Sequence, residues 1–301
     1  MILLWGLLED PPMCMVYEEL IDLDADIFFL DHKEVFTADI EFKYGDTVDE
    51  AWLHAGGRTL DLNRVTAVYA RPYDYRQYDE MQDKAADDSL AVRASGFEGQ
   101  LQSWIDSSEA LVVNRSEASA SNGSKPYQLA LIRKAGFHIP ETFITNEPES
   151  AQMFLQKNPD SVFKSISSVR SIVHKVSDAH IKDLNDVEWC PTLFQKTVPG
   201  HNYRVHVLGS QIFAVRIESD ALDYRYGNTR MEAVELPHDI AEKCRKITSG
   251  LGLHFSGIDL MRTPDDEWYC FEVNPSPGYS YFQNESGVPI SKALARFLMK
   301  G

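Results

Sequence analysis

The sequence predicts an α/β domain followed by an α+β unit, and three features carry that expectation. Short apolar runs at residues 1–7, 27–30 and 65–69 are separated by polar or helix-patterned stretches, the pattern of buried strands with helices between them. A segment rich in Ser, Asn and Gly, residues 114–123, interrupts the chain. It has little reason to be regular, which places a domain boundary near residues 112–124. Beyond it, strands come in pairs joined by tight turns, 203–208 with 211–218 and 257–262 with 267–274, so the second half contains antiparallel pieces.

Taken in order, residues 1–7 open the chain as a strand and 14–23 follow as a helix. After the strands at 27–30 and 65–69 comes a polar stretch, 73–88, then a helix at 90–105 in which Leu90, Phe97, Leu101, Trp104 and Ile105 recur at helical spacing. A strand at 110–114 closes the first domain. The next helix is well signalled: Ser124 can cap it, Pro126 suits its first turn, Leu129, Ile132 and Ala135 recur along it, and Gly136 stops it. A strand at 143–145, a helix at 149–156, two strands at 161–164 and 171–176 around a polar turn, and a strand at 192–198 follow. Gly209 and Ser210 form a two-residue turn between alternating strands. A helix at 238–250, the strand pair around Pro264, Asp265 and Asp266, and a helix at 290–299 complete the chain.

The chain has 301 residues, 29 of them basic and 46 acidic, for a formal net charge of -17. Such a surface repels phosphate backbones and anionic headgroups, so neither nucleic acid nor a membrane is expected as a partner. An anion site must be a local exception. The N-terminal apolar run ends at Leu8 before Glu9, Asp10, Pro11 and Pro12, too short to span a bilayer, and a cytoplasmic protein is expected. Cys14, Cys190, Cys244 and Cys270 are scattered without a CxxC pair, which reads as reduced thiols.

The residues that can carry chemistry are concentrated in the second half. In Phe271-Glu272-Val273-Asn274, strand alternation turns Glu272 and Asn274 to one face and Phe271 and Val273 to the core. Asp259 lies on the preceding strand between apolar neighbours, and a tight turn brings it to Glu272. Three hard oxygen donors on adjacent strands suit Mg²⁺ completed by water and phosphate oxygens. The alternative is that Asp259 and Glu272 are ordinary sheet carboxylates paired with Arg or Lys.

Lys125, Lys164, Arg204, Arg216 and Arg225 are cations of the types that grip phosphates and carboxylates; read one by one, they are also common as solvated surface charges. Between Lys164 and Lys175 runs a hydroxyl-crowded tip that includes Ser165, Ser167 and Ser168, able to cover phosphates or to be a plain polar turn. At Gln195-Lys196-Thr197-Val198-Pro199-Gly200 a strand ends in a Pro-Gly turn. Its free backbone donors and acceptors suit an adenine edge, or form a simple junction.

In this order the pieces resemble the ATP-grasp superfamily, in particular RimK-like ligases and the graspetide (microviridin-type) peptide maturases. The resemblance covers about residues 110–301. It rests on Asp259 with Glu272-Val273-Asn274-Pro275-Ser276-Pro277-Gly278, on the Gln195–Gly200 segment, and on residues 125–136 followed by Pro140-Glu141-Thr142. It implies an N-terminal α/β (pre-ATP-grasp) domain at 1–112, a central ATP-grasp subdomain with a phosphate flap at 113–190, and a C-terminal subdomain with the metal site at 191–301. The fold class it implies is thus an α/β N-terminal domain followed by a two-subdomain α+β ATP-grasp fold.

The resemblance also implies roles. Asp259, Glu272 and Asn274 would hold Mg²⁺, with Mn²⁺ able to replace it. Lys125 and Lys164 would contact ATP phosphates under a flap that includes Ser165, Ser167 and Ser168. Gln195, Lys196 and Val198 would line adenine, and Asn202 would face the ribose. Arg204, Arg216 and Arg225 would surround the transferred phosphoryl group and the substrate carboxylate. The five cations are then expected to converge on one cleft, with Asp259 and Glu272 offset by metal rather than by basic side chains.

The function implied is an ATP-dependent carboxylate-amine or carboxylate-hydroxyl ligase acting on a peptide or amino-acid substrate through an acyl phosphate, with a homodimer expected by analogy. Two alternatives stand beside it: an ATP-grasp small-molecule kinase and a non-catalytic nucleotide-binding module.

Overall fold

The computed structural model describes residues 1–45, 50–82, 88–166, 173–219 and 228–301. The chain divides into two compact units, one of Met1–Glu117, Gly278–Ser280 and Pro289–Gly301, the other of Ala118–Pro277 and Tyr281–Val288.

The first unit is built on a parallel sheet in the order Ile27–Asp31, Ile2–Gly6, Ala67–Ala70, Leu111–Val113. Every residue of Ile2–Gly6 is buried, because a central parallel strand is covered on both faces. Leu3 and Trp5 join Phe28, Leu30, Val68 and Val112 in a core shared with Phe97, Leu101 and Ile105 of the helix Asp88–Ser107. The helix Pro11–Asp22 buries Met13, Val16 and Leu20, one stripe at helical spacing. Packed against it is the helix Ile290–Leu298, where Ser291 Oγ donates to Glu19 at 3.2 Å. The last helix, grouped by the sequence with the C-terminal segment, therefore belongs to the first unit.

Two parts of the chain, one at the boundary of the units and one inside the first, differ from the sequence reading. Residues 114–123, expected to be irregular, form the short helix Ser116–Ser119 and a 3-10 turn, Ala120–Gly123. The entry is fixed from outside: Asp106 accepts from the Ser116 N–H at 2.9 Å and from its hydroxyl, and Arg115 donates to the carbonyls of Ile105, Asp106, Ser108 and Ala110 at the end of the preceding helix. A small antiparallel sheet, Asp39–Lys43, Glu50–Ala55 and Arg58–Asp61, was not foreseen. Its signal is Gly56-Gly57 after an alternating strand: both glycines have positive φ, 55° and 71°, as a two-residue primed turn requires.

The second unit holds two antiparallel sheets among the described residues. The smaller runs in the order His174–Lys175, Ser161–Ser165, Thr192–Lys196, Thr142–Thr145. Ala151 and Leu155 of the helix Pro148–Lys157 pack with Phe194 and Phe163 on one of its faces. The larger runs Thr229–Val234, Gln211–Ser219, His201–Leu208, Phe255–Arg262, Trp268–Asn274. The hairpin at Gly209-Ser210 is as expected, with Leu208 opposite Gln211 and Gly209 at φ 55°.

One face of the larger sheet is core: Tyr203, Val205, Val207, Ile258, Leu260, Cys270 and Val273 pack with Ile240, Cys244 and Ile247 of the helix His238–Gly250 and with Ile132 and Ala135. Ile132 belongs to the helix Lys125–Lys134, where Pro126 occupies the first turn as expected. Ser124 stands at the N-cap position, but its side chain makes no capping hydrogen bond. Among the described residues no helix is long and apolar enough to cross a membrane.

Candidate functional site

The register of the larger sheet decides which side chains share a face. Arg204 lies opposite Asp259 and Asp259 opposite Glu272; His206 lies opposite Gly257 and Gly257 opposite Asn274. Directly opposed residues point the same way. Arg204, Asp259, Glu272 and Asn274 thus stand together on the face away from the helix His238–Gly250.

A β-bulge between Asp259 and Leu260 shifts the pairing so that Leu260 faces Cys270. The extra residue is Phe271, which is half-buried, while Cys270 is fully buried. The expectation that Phe271 belongs to the core is corrected by this bulge, which resets the alternation before Glu272. Burial pushes the Cys270 thiol well up, with Cys244 and Asp259 adding to the rise.

Both carboxylates have basic partners. Arg204 Nη1 donates to Asp259 Oδ1 at 2.7 Å, with the Arg204 side chain 7% exposed and that of Asp259 31%. Lys125 Nζ lies 3.3 Å from Glu272 Oε1, with exposures of 8% and 29%. The expectation that metal alone offsets Asp259 and Glu272 is thereby corrected: each acid sits beside a buried cation, which lowers the cost of holding negative charge there. Among the described residues no three His, Cys, Asp or Glu side chains form a metal cluster. The candidate donor set is two carboxylates plus the Asn274 amide, whose Oδ1 accepts from the Ser276 N–H at 2.8 Å.

Arg204 is itself tightly framed. Its guanidinium lies over the Phe282 ring at 5.5 Å, and its Nε approaches His206 Nε2 at 3.5 Å. His206 is fully buried, and burial, reinforced by Arg204, holds its pKa well below the usual histidine range. A Cβ on Gly257 would collide with the Arg204 guanidinium and come within 2.7 Å of Pro277 Cβ, so glycine there is what lets the arginine lie across the strand.

The helix Lys125–Lys134 meets the sheet edge through a side chain that sequence reasoning passed over. Gln128 Nε2 donates to Val273 O at 2.8 Å and its Oε1 accepts from the Val273 N–H at 3.1 Å. Farther along the same edge strand, the His138 main chain pairs with Trp268 and Cys270. A signal existed: Lys125, Gln128 and Ile132 share the buried stripe, and a polar residue on such a stripe asks for a partner.

The remaining predicted residues fall into three groups. Lys164 and Gln195 are buried, 8% and 3% exposed. Lys164 is opposite Leu193 and Gln195 opposite Val162, which puts both on the face of the smaller sheet away from Phe194 and Phe163; Gln195 Nε2 donates to Thr142 Oγ1 at 2.9 Å. Lys196 and Ser165 are exposed, and Val198 is half-buried beyond the strand's end. Asn202, half-buried, shares the face of Arg204.

Arg216 does not join Arg204. It lies opposite Tyr203, on the other face, and pairs with Glu232 at 2.8 Å and Glu218 at 3.2 Å. The expected convergence of all five cations is corrected for this residue by strand alternation, since Arg216 and Arg204 differ in face. Ser167, Ser168 and Arg225 lie outside the described residues.

The second unit thus combines two antiparallel sheets, among the described residues, with acids and buried cations gathered at one face of the larger. The family model of the ATP-grasp domain matches residues 123–279, and the chain belongs to that family. By fold the likeness extends over the whole chain. The macrocyclase MdnC bound with precursor peptide MdnA, from Microcystis aeruginosa MRC, is 22% identical with a TM-score of 0.86 and 100% of each chain covered. A Chryseobacterium gregarium RiPP-associated ATP-grasp ligase in complex with ADP and a leader and core peptide is 22% identical, TM-score 0.85, covering 99% of this chain and 96% of that one. The ATP-grasp ligase PsnB complexed with minimal precursor is 24% identical, TM-score 0.84, covering 99% and 98%. No curated protein matches by sequence.

Proposed function

We propose that the protein is an ATP-dependent ligase that activates a carboxylate on a peptide and joins it to an amine or hydroxyl. The observation that carries this reading is the cross-strand set Asp259, Glu272 and Asn274 on one sheet face, with Arg204 and Lys125 buried against the two acids. The peptide as substrate class is supported by structural neighbours solved with precursor peptides. A cytoplasmic location and a homodimer belong to the same reading and rest on family resemblance alone.

The donor set fits Mg²⁺. Two partly exposed carboxylates and an amide oxygen leave coordination positions for water and phosphate oxygens, the composition such a cation prefers. Asp259, Glu272 and Asn274 would hold it, and when bound it supplies charge neutralisation at the phosphates.

The chain's own residues do the rest. A substrate carboxylate oxygen attacks the γ-phosphorus of ATP, the bond from that phosphorus to the ADP oxygen breaks, and an acyl phosphate results. Two anions must approach each other, so Lys125 and Arg204, both already buried, offset the charge where it accumulates. Lys164, on its own sheet, is proposed to contact the phosphates, with Gln195, Lys196 and Val198 beside adenine and Asn202 near the ribose. An amine or hydroxyl then attacks the acyl carbon, the carbon–oxygen bond to phosphate breaks, and inorganic phosphate and a proton leave.

Incubation of the purified protein with Mg²⁺, ATP and a panel of acidic peptides tests this. The expected result is ADP and phosphate release together with a peptide lighter by one water for each bond formed. A peptide that gains phosphate without condensation, or nucleotide binding with no turnover on any peptide, overturns the ligase assignment.

A further inference from the structure

We propose that Gln128 is a positioning residue that holds Lys125 against Glu272; the inference rests on reading this site as the place where Mg²⁺ and ATP bind. Its amide bridges both main-chain polar groups of Val273, donating at 2.8 Å and accepting at 3.1 Å, and the residue is 4% exposed. Trp268–Asn274 is the edge strand of its sheet, so at Val273 a side chain does what a neighbouring strand would do. A glutamine fits because its donor and acceptor lie side by side in one plane at the reach needed.

The consequence lies one turn away. Lys125, Gln128 and Ile132 share one buried helix face, so pinning Gln128 to Val273 fixes the rotation and height of the helix's first turn. Val273 directly follows Glu272. The same clamp therefore sets the lysine on the helix and the carboxylate on the strand in a single register, with Lys125 Nζ 3.3 Å from Glu272 Oε1. A long lysine chain has many rotamers, and its stem must be placed before its ammonium can be. An apolar residue at 128 would fill the stripe but leave the strand's N–H and C=O without partners and the helix free to slip.

The test is a double-substitution cycle read by calorimetric binding of a non-hydrolysable ATP analogue with Mg²⁺, with Tm recorded for each protein. Gln128→Leu is expected to weaken the analogue about tenfold in protein that is folded at the assay temperature, the scale of one well-made hydrogen bond. Gln128→Glu, which keeps the volume and the acceptor but not the neutral donor, is expected to fall between it and the unsubstituted chain. In a Lys125→Ala background the same Gln128→Leu change is expected to alter binding by less than about twofold, because the glutamine acts through the lysine. Unchanged binding in both folded Gln128 variants overturns the proposal, and so does an undiminished loss in the Lys125→Ala background, which marks a merely structural side chain. If the unsubstituted protein binds no nucleotide, the site reading itself falls, and the inference with it.

Discussion

The two faces of the five-stranded sheet carry two arginines from the strands of one hairpin, and they are used in opposite ways. Arg204 is 7% exposed, with Asp259 as a carboxylate partner, an aromatic ring under its guanidinium and a glycine opposite its neighbour His206. Arg216 is 36% exposed and divides itself between Glu218 and Glu232 on the other side. The first is held at a cost, in a place cleared for it; the second is a surface ion pair. Burial and framing of a cation, more than its presence, separate a site residue from a solubilising one.

Substitutions can break or sharpen that contrast. Arg204→Ala is expected to lower kcat/KM for ATP-dependent condensation by on the order of 10²-fold or more, the scale for loss of a group that meets developing charge, measured by ADP release. Next, Gly257→Ala drives a methyl into the guanidinium and Pro277. We expect a loss of about 1 to 3 kcal/mol from overpacking, read from chemical denaturation, together with a fall in activity.

His206 supplies a pH effect. Its folded pKa is depressed by burial from the reference value of 6.5, so below that value the unfolded chain takes up a proton that the folded chain refuses. The cost is absent above about pH 6.5 and grows by about 1.4 kcal/mol per unit as pH falls below it. His206→Phe is expected to remove that part of the acid sensitivity, seen as a smaller drop in Tm between neutral and mildly acidic buffer. Smallest of all, Arg216→Ala is expected to cost less than about 1 kcal/mol and to leave turnover within about twofold. Equal losses for Arg204→Ala and Arg216→Ala would erase the distinction between the faces.

Much of the second unit is legible in the chain because local signals repeat its geometry. Gly209-Ser210 between alternating strands fixes a hairpin, and Gly257-Ile258-Asp259 and Glu272-Val273-Asn274 announce two more strands with acids on one face. What stayed hidden depends on register. Nothing local marks Phe271 as the residue that a bulge leaves over, and a single displaced residue moved Cys270 into the core.

Arg216 looked equivalent to Arg204 until the pairing of Tyr203 with Arg216 set its face. Gln128 was visible as a polar residue on an apolar stripe, but its partner is a main chain 145 positions away, beyond any local pattern. In the first unit, Gly56-Gly57 was a readable turn signal that the apolar-run pattern overshadowed.

The helix Ile290–Leu298 completes the unit that begins with Met1. During synthesis every residue of the second unit is polymerised before that helix exists, so the helix Pro11–Asp22 waits for its neighbour until the chain has been made past Val288. The earliest residues made are thus among the last to reach their final packing. A released chain ending at Val288, which keeps the whole second unit and lacks Pro289–Gly301, should accordingly show a protease-resistant second unit beside a first unit that is still open to cleavage.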